Sequence, residues 1–257
     1  MKAIILAGGL GSRLGNLTEN IPKPMLEIGG RPILWHIMKI YSHYGIHDFI
    51  ICGGYKVNVI KDYFIHYDSN ISDFTIDFSD KSIIYYNSNQ ETDWKVTVVD
   101  TGRETLKGGR IKRIEKFIDD DVNFMTYGDG IADIDLNELL SFHASQNTIL
   151  TLTGVHPQSQ FGEIEAEGNL VTEFKEKAQI SQGVINGGFM VFNRELFDYL
   201  TEDENCDFEF GPLSQMAEEG QVSVYRHKGS WACMDTEREM KYLEKLWQNN
   251  KAFWKVW

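Results

Sequence analysis

The sequence predicts an α/β chain with a doubly wound, mixed and mostly parallel sheet, and three observations carry that prediction. Short apolar runs rich in β-branched residues recur through the first half, at residues 4–6, 48–54, 95–102 and 123–130. Between them lie segments with helical spacing, as in the apolar positions 33, 34, 37, 38 and 41. Strands that alternate with helices pair in parallel through crossovers. The third observation is that the first strand empties at once into Gly8, Gly9 and Gly11. Glycines there let backbone N–H groups approach an anion with no Cβ in the way.

Taken in order, Ile4–Leu6 reads as a buried strand, and residues 32–45 as a helix closed by Gly45. DFIICGG at 48–54 is the next strand, and residues 57–67 a helix with Ile60, Tyr63 and Phe64 on one face. FTIDF and SIIYY alternate, which suggests strands at a sheet edge or in an insertion. KVTVVDTG at 95–102 is a strand, GGRIKRIEKFI at 108–118 a helix, and NFMTYGDG at 123–130 a strand ending in an aspartate loop. DLNELLSFHASQ supplies a helix and TILTLTG a strand. The second half changes character. Glu167-Gly168-Asn169 lies between two alternating runs, which is a hairpin signal. INGGFMVF at 185–192 is a glycine-containing strand, followed by a short helix from Glu195. Residues 212–219 and 235–249 read as helices on either side of the strand QVSVYRH. No repeat, linker or low-complexity stretch divides the chain.

At 257 residues one large domain buries ~75% of its unfolded surface and needs no staple. The formal charge of −13 argues against nucleic-acid and anionic-membrane partners. In so acidic a chain the cations Arg13, Lys23, Arg110 and Lys177 are the informative ones. Cys52, Cys206 and Cys233 lack metal-like spacing and read as reduced thiols, which places the chain in the cytoplasm. The seven histidines show no metal spacing either. No apolar run approaches the ~18 residues a membrane span needs.

Arg13 follows the glycines, and Lys23 stands between Pro22 and Pro24, which keep its backbone stiff. An amide cradle with two cations suits a triphosphate. A ligand-free glycine turn remains the plain alternative. The loop is neither a Walker A sequence, since Gly11 leads to Ser12-Arg13-Leu14, nor a dinucleotide fingerprint, since the third glycine is Leu14. Asp129, flanked by glycines at the carboxyl end of a strand, could ligate a metal or make turn hydrogen bonds. Asp235 reads equally as the N-cap of the helix that begins at Thr236. Glu176 and Lys177 could be a solvated strand end. Arg110 at a helix start is unfavourable unless an anion sits there. The aromatic tail LWQNNKAFWKVW reads as packing on a neighbouring subunit, because such tails stay disordered unless they dock.

Beyond these residue-level readings, LAGGLGSRL with PKPMLEIGGRPIL, then GDG, INGGF and MDT, resembles the sugar-1-phosphate nucleotidyltransferases over nearly the whole chain. The resemblance implies a single Rossmann-like nucleotidyltransferase domain with a smaller β-rich sugar-binding part. Residues 1–135 would bind mainly nucleotide and 136–235 mainly sugar phosphate, and 236–257 would be a helix and tail making oligomer contacts. It implies Arg13, Lys23 and Asp129 as catalytic and Asp129 and Asp235 as ligands of Mg²⁺. Leu6, Ala7, Gly8, Gly9, Leu10, Gly11, Ser12, Arg13, Lys23, Thr105, Arg110 and Gly128 would bind nucleotide. Tyr127, Gly162, Glu176, Lys177, Asn186 and Gly187 would bind the sugar phosphate.

Within the family, VTVVDTG, TGRETLKGGRIKR and the WKVW ending are closest to members that use CTP. The implied substrates are CTP and glucose 1-phosphate, for deoxysugar synthesis, and the implied assembly is a homo-hexamer. Departures gather in the second half. They include Glu163 in place of an alanine, Ala178 in place of a proline, Gly211 in place of a glutamate and Cys233 in place of a proline. They keep a different sugar or alditol phosphate open as acceptor. A regulatory subunit without turnover would lose Lys23 or an aspartate, and all are present.

Overall fold

The computed structural model describes residues 1–86, 91, 93–156, 163–175 and 183–257. The chain begins with β1 (Ala3–Ala7), β2 (Glu27–Ile28), β3 (Arg31–Pro32), α1 (Ile33–His43), β4 (Asp48–Gly53), α2 (Val57–Ile65) and α3 (Tyr67–Ile71). A hairpin of β5 (Phe74–Asp77) and β6 (Ser82–Tyr85) precedes β7 (Lys95–Asp100), α4 (Lys107–Arg113), β8 (Val122–Tyr127) and β9 (Gly130–Ala132). Then come α5 (Leu136–Gln146), β10 (Leu150–Val155), a second hairpin of β11 (Glu163–Glu167) and β12 (Leu170–Lys175), and β13 (Ile185–Asn193). The last elements are α6 (Pro212–Glu218), β14 (Val222–Arg226), β15 (Trp231–Cys233) and α7 (Glu237–Gln248).

Seven strands form the central sheet in the order β14-β10-β13-β8-β1-β4-β7. β1 runs parallel to β4 and β8, β4 to β7, and β10 to β14. Only β13 runs antiparallel to its neighbours β8 and β10. The described chain between β10 and β13 is a hairpin, and an antiparallel return needs no crossover helix. The mixed, mostly parallel sheet read from the sequence is thus the observed one.

Alternation along the buried strands feeds two cores. Ala3, Ile5, Ala7, Phe49, Ile51 and Phe124 face α1 and the C-terminal tail. Ile4, Leu6, Ile50, Cys52 and Met125 face the side on which α4 and α6 lie. Sequence order and space order change direction at β1, which lies between β4 and β8. The crevice beyond the carboxyl ends of β1 and β8 is where such a sheet binds ligands.

Several local readings are corrected. The helix read over 57–67 stops at Ile65, and α3 starts afresh at Tyr67. The helix read over 108–118 ends at Arg113 and gives way to a 3-10 turn at Glu115–Phe117. The N-cap of α7 is Thr236 rather than Asp235, in a reciprocal capping box with Glu239.

The tail, read as a subunit contact, docks on its own chain. Trp254 is fully buried and donates from Nε1 to His36 Nδ1 at 3.3 Å. Trp257 meets Trp35 edge to face at 5.7 Å, and Trp247 meets His36 at 4.8 Å. Gly29, at φ +60°, admits this cluster, because a Cβ there would stand 2.0 Å from the Trp247 ring nitrogen. Helix α1 is buried nearly all round at Ile33–Met38, and the tail residues Trp247, Phe253, Trp254 and Trp257 pack in the same core.

Candidate active site

A cavity of about 770 Å³ opens beyond the carboxyl ends of β1 and β8. The glycine loop forms one wall, with Leu6, Ala7, Gly8, Gly9, Gly11, Ser12 and Arg13 on its lining. Gly11 sits at φ +67°, where a side chain would be strained, and Thr18 fastens the loop by donating to the Gly11 carbonyl at 3.1 Å. Leu10 departs from the expected set, since it is exposed and lines a separate shallow groove with Tyr55.

Two carboxylates meet at the floor. Gly128 follows β8 and Asp129 follows it, while β9 pairs with β15 and carries Asp235 up beside them. The backbone N–H of Met234 donates to the Asp129 carbonyl at 2.9 Å, which fixes the two loops together. Lys23 Nζ lies between the carboxylates, 2.5 Å from Asp129 Oδ2 and 2.5 Å from Asp235 Oδ1. Arg13 reaches the same Asp235 oxygen at 2.9 Å. The four residues read from separate motifs therefore form one charge cluster.

Burial opposes the charge on Lys23, yet Asp129 and Asp235 outweigh it and hold the ammonium above the ordinary lysine range. Burial likewise acts against ionised Asp235, but Lys23 and Arg13 pull its pKa below the usual carboxylate value. Because Thr236 caps α7, the Asp235 carboxylate is free for this cluster. Burial and the neighbouring Asp235 push the Cys233 thiol up to about 12, which keeps it protonated.

Two carboxylate oxygens converging on one cationic point also fit a divalent ion. Among the described residues no group of three or more His, Cys, Asp or Glu is placed to hold a metal. Magnesium accepts one or two carboxylates with substrate phosphates completing its shell, so this donor set suits it.

Arg110 lines the cavity but belongs to its framework. It is the fourth residue of α4 rather than the first, and it is almost fully buried. Its guanidinium donates to the carbonyls of Gly8 (3.0 Å), Gly53 (3.1 Å), Gly102 (2.6 Å) and Arg103 (3.1 Å), and to Thr101 Oγ1 (2.9 Å). This clamp ties together the carboxyl ends of β1, β4 and β7. Burial lowers the Arg110 pKa from its ordinary value. A Cβ on Gly8 or Gly54 would stand 2.2 Å from the guanidinium, which explains both glycines. The pair Gly108–Gly109, read as the opening of a helix, also answers to close packing. A Cβ at Gly108 would lie 2.6 Å from Cys206 Sγ, and one at Gly109 would lie 2.5 Å from the Asp203 carbonyl. Thr105 is buried on the cavity wall and accepts from Arg113 at 2.7 Å.

On the opposite wall, Tyr127 accepts from Asn186 Nδ2 at 3.2 Å and donates to Glu209 at 2.8 Å. The Gly187 carbonyl accepts the Trp231 indole N–H at 2.8 Å, so Gly187 acts through its backbone. Gly162, Glu176 and Lys177 lie outside the described residues. Sequence reasoning missed Lys107, Trp231 and Tyr242 on the lining and Glu209 behind Tyr127.

Fold and site together define an α/β enzyme that transfers a nucleotidyl group. A family model described as nucleotidyl transferase matches residues 2–247, and the chain belongs to that family. It is 45% identical, over the full length of both chains, to the glucose-1-phosphate cytidylyltransferase of Salmonella typhi. It is also 32% identical to a D-glycero-alpha-D-manno-heptose 1-phosphate guanylyltransferase of Campylobacter jejuni, across 81% of this chain and 83% of that one. The solved structure of HddC from Yersinia pseudotuberculosis superposes with a TM-score of 0.67 at 21% identity, covering 96% of this chain and 99% of that one. That last likeness shows the fold.

Proposed function

We propose that this enzyme transfers a cytidylyl group from CTP to α-D-glucose 1-phosphate, releasing pyrophosphate and giving CDP-glucose. The observation that carries the reading is the cluster of Arg13, Lys23, Asp129 and Asp235 in the cavity at the switch point. Full-length similarity to a cytidylyltransferase supports the choice of nucleotide and acceptor. A phosphate oxygen of the acceptor attacks the α-phosphorus of CTP in line, and the bond from that phosphorus to the bridging oxygen of pyrophosphate breaks. No covalent intermediate on the protein is needed, so positioning and charge neutralisation supply the rate.

Lys23 and Arg13 bind the triphosphate and offset the charge that grows on the leaving pyrophosphate. To do so Lys23 exchanges its carboxylate partners for phosphate oxygens. Asp129 and Asp235 would then be the residues to hold Mg²⁺, and enzymes of this family generally use a divalent metal. When bound, the ion supplies a Lewis acid to the transferring phosphate. Tyr127, Asn186 and the Gly187 backbone form the acceptor side, with Gly162, Glu176 and Lys177 assigned there by resemblance.

Assembly into a homo-oligomer belongs to the same reading. The β5–β6 hairpin exposes Phe74, Ile76, Phe78, Ile83, Ile84, Tyr85 and Tyr86, although an isolated two-stranded hairpin is marginal in water. At roughly half of each side chain, that is on the order of 700 Å² per copy. Those side chains stand on both faces of the hairpin, so a single partner surface would cover only part of that area. No helix among the described residues is long and apolar enough to cross a membrane.

A pyrophosphate-release assay with CTP, Mg²⁺ and a panel of sugar 1-phosphates tests the reaction. Preference for CTP with glucose 1-phosphate supports it. Faster turnover with another nucleotide, or with another acceptor, overturns that part of the assignment.

A further inference from the structure

Tyr127 closes β8 on the cavity wall, and its hydroxyl is already engaged on two sides. It donates its single proton to Glu209 Oε1 at 2.8 Å and accepts from Asn186 Nδ2 at 3.2 Å. One lone pair is left for a ligand. Lys107 pairs with the same Glu209 oxygen and lies 5.1 Å over the Tyr127 ring. The loop bearing Glu209 is seated on α4, where Leu106 N–H donates to the Glu204 carbonyl at 2.7 Å and Gly109 N–H to the Cys206 carbonyl at 3.1 Å. Asp207 Oδ1 accepts from the Glu209 N–H at 3.1 Å, which orients the carboxylate further. Glu209 is three-quarters buried, so water competes little for the phenolic proton.

We propose that Glu209 is a positioning residue for acceptor specificity. It holds the Tyr127 proton away from the cavity, so that Tyr127 presents only a lone pair and selects an acceptor hydroxyl that donates to it. Lys107 neutralises Glu209, so that the carboxylate does not repel the acceptor phosphate. This inference rests on the assignment of Tyr127 to the acceptor side.

The test uses deoxyfluoro analogues of the acceptor sugar phosphate, in which fluorine replaces one hydroxyl in turn and cannot donate. Wild-type enzyme should discriminate against one analogue in kcat/KM by tenfold or more, because a lone pair facing fluorine is left unpaired. Glu209→Ala frees the Tyr127 proton to point into the cavity, and the discrimination should fall to about threefold or less. Glu209→Gln retains an accepting oxygen and should keep the wild-type ratio. Tyr127→Phe should abolish discrimination, and adding Glu209→Ala to it should change nothing more. The KM for CTP should stay within about twofold throughout.

Three results overturn the proposal: no discrimination by the wild type, equal behaviour of the Ala and Gln variants, or a rise in both KM values together. If Glu209→Ala fails to fold, the Tyr127→Phe and Glu209→Gln pair decides, since both must follow the stated pattern. Wild-type turnover of no acceptor in the panel overturns the reaction itself. Turnover with an unchanged ratio in Glu209→Ala overturns only this inference.

Discussion

Asp235 stands 212 residues beyond Lys23 in the chain, yet its carboxylate accepts the Lys23 ammonium at 2.5 Å. The same ammonium reaches Asp129, so one cation screens two like charges from each other. Lys23→Ala should therefore lower kcat/KM by on the order of 10²-fold, as loss of one charge-stabilising donor does. Steady-state kinetics on the purified variant checks this, and near wild-type turnover refutes the role.

Asp129→Asn and Asp235→Asn should each reduce activity, and the double variant should lose little more than the worse single one. Residues that act as one unit are non-additive. If the two losses multiply instead, the carboxylates work independently and a shared ion is ruled out.

The Arg110 clamp predicts that Gly54→Ala destabilises the fold. A Cβ there lies 2.2 Å from the guanidinium, which five acceptors hold in place. Overpacking of this kind costs ~1–3 kcal/mol. Urea unfolding should show the loss, and it should shrink when Arg110→Met is added. An unchanged midpoint for Gly54→Ala contradicts the clamp.

What the sequence revealed and what it hid follow from how each contact arises. The glycine loop, Lys23, the GDG aspartate and the MDT aspartate are short motifs that mark candidate positions, and the family resemblance rather than the residue alone gave them roles. The unbroken apolar run Ile4–Leu6 likewise placed β1 inside. Glu209 and Lys107 meet Tyr127 only because a loop settles on α4, and no local pattern marks that approach. Gly108–Gly109 was the available signal, and it reports close packing against the loop at Asp203 and Cys206. The tail was legible only in part, for a related reason. Its aromatic residues announced burial, but composition does not say whether the covering surface belongs to the same chain.

That tail gives a pH prediction. Burial lowers the His36 pKa from 6.5 to about 4, so the ring is neutral in the fold and accepts from Trp254. The unfolded chain takes up the proton first as pH falls. Stability from this group is complete above about pH 6.5 and is lost progressively toward pH 4, with an upper bound of roughly 3 kcal/mol. Urea midpoints between pH 7.5 and 4.5 should fall for the wild type with a slope of about one extra proton. The slope should flatten in His36→Gln, and equal slopes in both exclude His36 as the titrating group.

The final prediction concerns the β5–β6 hairpin. Phe74 pairs with Tyr85 and Ile76 with Ile83, so these four side chains share one apolar face. They are 46, 40, 37 and 46% exposed respectively, so each leaves over a third of its surface open. An apolar face of this size marks an association surface. Ile76→Asp with Ile83→Lys should shift the mass measured by light scattering after size exclusion to that of a monomer. The change should leave the monomer's own unfolding midpoint within about 0.5 kcal/mol, because exposed substitutions remove few intrachain contacts. A loss of stability comparable to a core mutation would show that the hairpin serves its own fold. A wild-type protein that is already monomeric at micromolar concentration removes the assembly altogether.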